Sequence, residues 1–289
     1  MASERDLKRR IKAVKNTEQI TKAMKMVAAA RIKKAEDVLK AARPYSKLLK
    51  EVVQDLTAGM DEVVHPLMTV RPVTRTAYLV VTSDKGLCGS YNNNLLKLVW
   101  STFGTVPKES YKLISVGGKG DKFFRRRKLN IDKAITGWSP SFAMAQELAN
   151  LVTDWFLDGT VDEVKLIYSQ SISAITQKPV VERILPMSKD AVGEDKPGAG
   201  GGGFAFEPSA DAALNILLPR YVQNIIYRVL AEARVSELGA RLKSMSAATD
   251  NANKLAADLT LQFYRIRQDN ITKEILEIVG GAEALRSSK

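Results

Sequence analysis

The sequence has 289 residues, of which 45% are hydrophobic and 26% are charged, a composition typical of globular domains. No run of about 20 apolar residues occurs, which excludes a membrane-spanning helix, and the single cysteine, Cys88, excludes an internal disulfide. The formal net charge is +12, and residues 1–50 carry most of it, with 15 Lys or Arg and five Asp or Glu. This uneven charge favours an anionic partner, either a nucleic acid or acidic protein surfaces.

The N-terminal segment is predicted to form one long helix. From Ser3 to about Thr57 there is no glycine, and Pro44 is the only proline. Apolar and small residues recur at alternating spacings of three and four, a mean of about 3.5 that predicts a left-handed coiled coil. The predicted seam consists of Leu7, Ile11, Val14, Thr17, Thr21, Met24, Ala28, Ile32, Ala35, Leu39, Ala42, Tyr45, Leu49, Val52 and Leu56.

Residues 73–195 are predicted to form an open, mostly parallel, Rossmann-like α/β domain, because strand patterns alternate with helix patterns. Strands are predicted at Thr76–Thr82, Tyr111–Val116, Ile131–Ile135 and Val164–Tyr168, with an edge strand at Val180–Leu185. Helices are predicted from a cap at Asn93 or Asn94 to Phe103, from Gly120 to about Lys128, and from Ser139 to about Leu157. The glycine-rich residues 196–208 are predicted to be a flexible linker.

Residues 209–289 are predicted to form a second, longer helix. Both chain ends join the same inserted domain, so we predict that residues 1–57 and 209–289 pair as an antiparallel two-helix coiled coil, a discontinuous shaft. The second helix exceeds the first by roughly 20 Å. Its apolar end, Ile271–Leu285, therefore lacks a partner helix, and an exposed apolar surface of this kind predicts a hydrophobic socket in another protein.

The sequence predicts no catalytic, cofactor-binding or metal site. Gly117–Asp121 lacks the later glycine of a dinucleotide-binding loop and the Ser or Thr of a P-loop. His65 is interpreted as incidental and Cys88 as a small packing residue, and no acidic cluster has metal-ligand spacing. These observations argue against a nucleotide-dependent α/β enzyme. A basic coiled-coil protein that binds nucleic acid stays an alternative, although Tyr45 is the only aromatic residue available for base stacking on the N-terminal helix.

Three collinear stretches resemble the gamma subunit of rotary (F-type) ATP synthases, and the resemblance covers the whole chain. They are Asn16–Thr17 with Ile20–Met24 and Met26–Ala28; Ser83–Gly89; and Ile271–Glu274 with Glu277, Gly281–Ala282 and Ala284. Ala247–Ala252 also looks like the family's sequence. The resemblance implies a non-catalytic central rotor shaft, one copy per complex, which couples proton-driven rotation of the c-ring to ATP synthesis or hydrolysis at the beta subunits.

By match of motif, the resemblance also implies partners and contact residues. The partners would be a ring of three alpha and three beta subunits, the epsilon subunit and the c-ring, without nucleic acid, directly bound nucleotide or any cofactor. Beta-subunit contacts would be Met24, Lys25, Arg241, Gln268 and Thr272; the tip that turns in a hydrophobic bearing would be Ile275, Ile278, Val279 and Leu285; and the foot on the c-ring and epsilon subunit would include Phe204, Phe206 and Glu207.

The chain also departs from some relatives. The Gly198–Gly203 run is unusual for the family, and the inserted domain lacks the cysteine pair of the chloroplast thiol switch. No transit peptide precedes Met1, so we expect a bacterial protein on the cytoplasmic side of the cell membrane, attached peripherally through its partners.

Overall fold

The computed structural model of the chain describes residues 3–58, 65–173, 176–187 and 210–287. The chain divides into two compact units, one of Met1–Val27 with Leu242–Lys289 and the other of Ala28–Arg241. The domain bounds expected from the sequence, residues 1–57 with 209–289, 73–195 and 196–208, stay a prediction, and the proposed linker lies outside the described residues.

Helices and strands follow the predicted order. The helices are α1 (Glu4–Ala58), α2 (Tyr91–Phe103), α3 (Gly118–Arg126), α4 (Phe142–Leu157) and α5 (Ala210–Ser287). The strands are β1 (Thr76–Val81), β2 (Tyr111–Val116), β3 (Lys133–Ile135), β4 (Glu163–Ser173) and β5 (Thr176–Leu185). Helices α1 and α5 contain 55 and 78 residues, which confirms the two long terminal helices.

Most of the described residues of the predicted α1 seam are buried or half-buried. The buried seam residues are Leu7, Thr21, Ala28, Ile32, Leu39 and Leu49. The seam prediction is wrong at Thr17 and Tyr45, because both side chains are exposed. Near the end of α1, Val53 is buried more completely than the predicted Val52. A straight α-helix has 3.6 residues per turn, so a strict 3.5-residue pattern drifts around its surface by about 20° per heptad. The side chains of Ala42 and Leu56 lie outside the described residues.

Helices α1 and α5 run antiparallel in the unit of Ala28–Arg241, and a contact also joins them in the other unit. In the unit of Ala28–Arg241, Leu39 packs with Ala231 and Val235, whereas Val53, later in α1, shares a core with Leu218, earlier in α5. In the other unit, the hydroxyl oxygens of Thr21 and Thr249 lie 2.8 Å apart. These contacts confirm the predicted antiparallel helix pair.

The sheet contains five strands in the order β3-β2-β1-β4-β5. Strands β1 to β4 pair in parallel, whereas β5 pairs antiparallel with β4 at one edge. The central strand β1 is buried at every position, as its continuous apolar sequence predicts. An open, mostly parallel sheet with an antiparallel edge strand is therefore confirmed.

The sheet is covered on both faces. On one face, α4 and the first part of α5 contribute side chains such as Leu148, Phe156, Leu218 and Val222 to the larger core. On the other face, α2 and α3 contribute a second core that includes Leu95, Val99, Phe103 and Phe124. Each fully buried side chain of this kind contributes about 1.5–3 kcal/mol through the hydrophobic effect. The start of α5 is thus a structural part of the α/β layer arrangement.

Polar contacts also join α5 to the sheet. The guanidinium of Arg228 on α5 forms ion pairs with Glu182 of β5, at 2.7 Å, and with Glu232 one helical turn later, at 3.2 Å. The hydroxyl of Tyr168 on β4 donates a hydrogen bond to Glu182 at 2.7 Å, and the Ser171 N–H donates to Glu232 at 3.2 Å. Hydrogen bonds to charged groups contribute about 1.5–3 kcal/mol each, so these contacts fix α5 on β4 and β5.

Several details differ from the sequence-based predictions. Helix α2 begins at Tyr91 after an N-cap at Ser90, rather than after Asn93 or Asn94. Helix α4 begins after Ser141, whose hydroxyl accepts a hydrogen bond from the Met144 N–H at 3.2 Å. His65 is buried and its Nδ1 accepts a hydrogen bond from the Leu67 N–H at 3.1 Å, a local structural role that its place in the sequence did not indicate. Several polar candidates for a cap occur at each helix start, and at Ser90 the side chain forms no cap hydrogen bond.

Candidate functional site

The loop that follows β1, Ser83–Gly89, contacts helix α5. Leu87 and Gly89 in this loop have positive φ angles of 63° and 57°. Glycine adopts this left-handed conformation readily, whereas for leucine it costs about 1–2 kcal/mol. The cost for Leu87 implies that other contacts hold the loop in place.

Asn92, in the first turn of α2, ties the two ends of the loop together. Its Oδ1 accepts a hydrogen bond from the Ser83 N–H at 3.2 Å, and its Nδ2 donates to the Ser83 Oγ at 2.7 Å and to the Cys88 Sγ at 3.1 Å. Cys88 is only 2% exposed. Burial raises the pKa of its thiol, which disfavours the reactive thiolate. Cys88 is therefore a packing residue, as the sequence predicts.

Asp84 occupies the position at which an α/β domain would bind an anionic ligand. Its Oδ1 accepts hydrogen bonds from the N–H groups of Gly118, at the start of α3, and Gly137, both at 2.9 Å. Its Oδ2 accepts one from the Trp138 N–H at 3.1 Å. Backbone N–H groups at a helix N-terminus are the usual donors to a bound phosphate. Here the chain's own carboxylate takes these donors, which adds to the sequence argument against a nucleotide site in this loop.

Arg241 of α5 connects the helix to the other side of the loop. Its Nη2 donates hydrogen bonds to the backbone carbonyls of Lys85, at 3.3 Å, and Gly86, at 3.2 Å. Its Nη1 lies 2.7 Å from Oε1 of Glu237, and the other carboxylate oxygen lies 2.6 Å from Nη1 of Arg234. The Glu237 side chain is 2% exposed, so its charge depends on these two arginines.

Tyr91 adds a second connection between the loop region and α5. Its hydroxyl donates a hydrogen bond to the Ala233 carbonyl at 3.2 Å, and its ring packs in a small buried cluster with Cys88 and Ala240. Burial raises the pKa of Tyr91, so the hydroxyl keeps the proton that it donates. The arrangement holds a loop on a helix and offers no nucleophile or acid–base pair.

The predicted beta-subunit contact residues fall into two groups. Arg241 belongs to the unit of Ala28–Arg241 and is brought together with the Ser83–Gly89 loop. Met24 and Lys25 on α1 and Gln268 and Thr272 on α5 belong to the other unit. Met24 and Lys25 are half-buried, whereas Gln268 and Thr272 are exposed. Their role as contacts with another subunit stays a prediction.

The end of α5 carries an exposed apolar stripe. Ile275 is 55% exposed, Ile278 is 72% exposed and Val279 is 59% exposed. Sequence reasoning missed two residues that lengthen the stripe, Leu261 and Tyr264, which are also exposed. The line of the stripe with alternating spacings of three and four is Leu261, Tyr264, Gln268, Ile271, Ile275, Ile278 and Ala282, and Val279 lies beside it. This heptad spacing was available in the sequence and is that of a helix packing along another apolar surface.

The remaining predicted residues cannot be placed. Phe204, Phe206 and Glu207 lie outside the described residues, as does the side chain of Leu285. Within the described ranges, no group of three or more His, Cys, Asp or Glu residues could hold a metal ion. No described helix combines the length and the apolar character needed to cross a bilayer.

Comparison with known proteins gives matches along the whole chain. A family model described as ATP synthase matches residues 3–285. The ATP synthase gamma chain of Heliobacterium modesticaldum (strain ATCC 51547 / Ice1) is 45% identical over 99% of this chain and 100% of the relative. The chain belongs to the ATP synthase gamma chain family. The gamma chain of Moorella thermoacetica (strain ATCC 39073 / JCM 9320) is 46% identical over 99% of this chain and 100% of the relative.

Solved structures share the fold of this chain. A chain of the Euglena gracilis mitochondrial ATP synthase (OSCP/F1/c-ring, rotational state 3) matches with a TM-score of 0.68 and 20% identity, over 99% of this chain and 95% of that one. A chain of the Tetrahymena thermophila mitochondrial ATP synthase central stalk/c-ring matches with a TM-score of 0.60 and 24% identity, over 79% and 99%. The two structural matches show the fold, the family model and the relatives show the family, and none of them supports the nucleic-acid alternative.

Proposed function

We propose that this gamma chain is the central rotor shaft of an F-type ATP synthase. In this role it couples proton-driven rotation of the c-ring to ATP synthesis or hydrolysis at the beta subunits. The observation that carries the proposal is the exposed stripe from Leu261 to Ala282, because a heptad of apolar side chains left in water needs a protein surface to cover it. Family membership supports the proposal that other subunits of the complex supply this surface.

The proposed partners are three alpha and three beta subunits around one copy of the chain, with the epsilon subunit and the c-ring at the foot. The chain would be held at the cytoplasmic side of a bacterial cell membrane through these partners. Met24, Lys25, Arg241, Gln268 and Thr272 are the proposed contacts with the beta subunits. Basic residues on α1 would attract acidic loops of those subunits over a distance of about one Debye length, 8–10 Å, without fixing one geometry.

The tip of α5 is proposed to turn in a hydrophobic bearing. Leaving Ile275, Ile278 and Val279 in water forgoes about 1.5–3 kcal/mol for each side chain. Covering them with an apolar sleeve would recover this energy. Because the hydrophobic effect is non-directional, such a sleeve would centre the helix and still permit it to rotate.

The chain is proposed to be non-catalytic, with ATP chemistry left to the beta subunits. Two observations support this: the Asp84 carboxylate takes the N–H groups that a phosphate would need, and Cys88 is buried with a raised pKa. Incubation of the purified full chain with ATP and magnesium should release no phosphate above the rate in buffer alone. Phosphate release by the isolated chain would contradict this part of the proposal.

The rotor function can be tested by co-expression with the alpha and beta subunits and by single-molecule observation. A bead would be attached to a cysteine introduced by Ser101→Cys, on the exposed part of α2. The native Cys88 is buried, so labelling should be selective for the new site. The expected result is a complex with one copy of this chain in which ATP drives rotation of the bead. A complex with two copies, or one that hydrolyses ATP while the bead stays fixed, would refute the proposal.

A further inference from the structure

A basic cleft of about 570 Å³ lies at the amino ends of β1 and β2. This is the sheet edge opposite the Ser83–Gly89 loop, since parallel strands place their carboxyl ends together. The lining residues used below are Arg75, Lys108, Glu109, Tyr111, Lys128 and Asn130. They come from the residue before β1, from the segment that enters β2 and from the segment that follows α3.

The positive charges in the cleft are incompletely neutralised. Lys112, which also lines the cleft, pairs with Asp132 at 2.8 Å. Arg75, Lys108 and Lys128 form no ion pair with any residue in the described parts of the chain. Glu109 is the one acidic residue among those that line the cleft. The cleft therefore keeps an excess of cationic groups, and their mutual repulsion favours binding of an anion.

Tyr111 provides an unused hydrogen-bond donor in the same cleft. Its side chain is buried, and its hydroxyl oxygen accepts a hydrogen bond from the Asn130 N–H at 3.3 Å. Burial raises the pKa of Tyr111, so the hydroxyl stays protonated. Within the described ranges no protein group accepts this proton, so the hydroxyl can donate to a ligand bound in the cleft.

Lys128 adopts a conformation that a lysine disfavours. Its φ angle is 55°, in the left-handed region that costs a residue other than glycine about 1–2 kcal/mol. The Leu129 N–H donates to the Phe124 carbonyl and the Lys128 N–H to the Arg125 carbonyl, both at 3.0 Å. These bonds form the helix C-terminal motif in which glycine is usual at the Lys128 position. Strain of this kind is often retained at functional sites, here where the lysine side chain lines the cleft.

We propose that this cleft binds a phosphate-class anion with at least two negative charges. Lys108, Lys128 and Arg75 would supply the cations, and the Tyr111 hydroxyl would donate to one oxygen of the anion. Charge-assisted hydrogen bonds from lysine and arginine are the usual basis of phosphate recognition. The volume exceeds that of one phosphate, so the ligand is a soluble diphosphate-type anion or the headgroup of an acidic phospholipid. The site is independent of the rotor function proposed above.

The primary experiment is calorimetric titration of the full chain with inorganic pyrophosphate in about 0.1 M salt, where the Debye length is about 10 Å. The cleft variant is K108Q/K128Q. The matched control, K40Q/K97Q, removes the same charge at two exposed lysines that do not line the cleft. We expect saturable binding that weakens about tenfold in the cleft variant, equivalent to two partly exposed charge contacts, and changes little in the control. Absence of saturable binding, or equal weakening in both variants, would overturn the proposal.

A second variant, K128G, separates ligand binding from folding. Glycine suits the left-handed conformation, so K128G should unfold at a temperature equal to or above that of the parent chain. It should nevertheless bind pyrophosphate more weakly, because the ammonium group is lost. If K128G keeps the affinity of the parent, Lys128 is not a ligand and the proposal fails.

Vesicles distinguish the two sources of the anion. The parent chain, K108Q/K128Q and K40Q/K97Q are each sedimented with vesicles of phosphatidylcholine alone and with vesicles that also contain phosphatidylglycerol. Selective loss of binding to the acidic vesicles in K108Q/K128Q, relative to K40Q/K97Q, supports the site and assigns a lipid headgroup. Equal sedimentation of both variants, with the selective effect on pyrophosphate retained, supports the site and assigns a soluble ligand.

Discussion

Replacing Arg241 with methionine should destabilise the unit of Ala28–Arg241 by about 3 kcal/mol. The buried Glu237 carboxylate would lose its contact at 2.7 Å, and the carbonyls of Lys85 and Gly86 would lose their donor. Removing one partner of a buried ion pair costs about 3–5 kcal/mol. Arg234 remains 2.6 Å from Glu237, so we expect the lower end of this range. Methionine retains most of the apolar stem of arginine, so packing changes little.

The assay is urea unfolding of the full chain, followed by circular dichroism, within a double-mutant cycle that also includes E237Q and R241M/E237Q. The two changes together should cost less than the sum of the single changes by about 1 kcal/mol or more, because neutral glutamine no longer needs the arginine. The control is R265M, at an exposed arginine of α5 for which the described residues provide no ion pair. It should change the stability by less than about 0.5 kcal/mol. An additive cycle, or an R241M variant as stable as R265M, would refute the reasoning.

Three further predictions concern the tip, the basic helix and the Ser83–Gly89 loop. The triple variant I275D/I278D/V279D should keep a folded α/β domain by near-ultraviolet circular dichroism but assemble poorly with alpha and beta subunits; assembly and turnover like the parent would exclude the bearing. K25A alone should preserve ATP-driven rotation, because one ion pair at a solvent-accessible contact contributes only about 0.2–1 kcal/mol, and loss of rotation in K25A would contradict distributed attraction. Neutralising Lys22, Lys25, Arg31 and Lys33 together should weaken the coupling between ATP hydrolysis and rotation in single-molecule rotation assays. D84A leaves three N–H groups without their acceptor and should lower the free energy of unfolding by about 3 kcal/mol in urea, an expectation that unchanged stability would disprove.

Local sequence was sufficient to predict a helix or strand wherever its composition or apolar pattern pointed to one structure. The long terminal helices follow from the near absence of glycine and proline, and the continuous apolar runs at Thr76 and Tyr111 gave the observed starts of β1 and β2. Helix starts were less reliable, because several polar residues precede each helix, and of Ser90 and Ser141 the latter alone forms a side-chain cap hydrogen bond. Tyr45 was misplaced because an apolar side chain at a seam position becomes buried only where a partner faces it.

The contacts of the candidate site could not be predicted in the same way. The hydrogen bonds from Arg241 to the loop carbonyls join residues more than 150 positions apart, and no local pattern encodes them. The three N–H partners of Asp84 come from two other segments of the sheet edge. The heptad from Leu261 to Ala282 is different, since its spacing is visible in the sequence. It was recognised only in part because Gln268 interrupts its apolar residues.

The ion pairs of Arg228 have a mechanical consequence. The packed apolar contacts between the sheet and α5 hold the two together but are non-directional, so they do not by themselves fix one angle between them. Hydrogen-bonded ion pairs weaken steeply when their angles change, and the contacts from Arg228 and Glu232 reach β5 and β4 from one stretch of α5. A twisting force on these strands would therefore turn the helix with them, with little relative movement between the strands and the helix. The stiffness of this joint, more than its strength, would set how faithfully an angular step is transmitted.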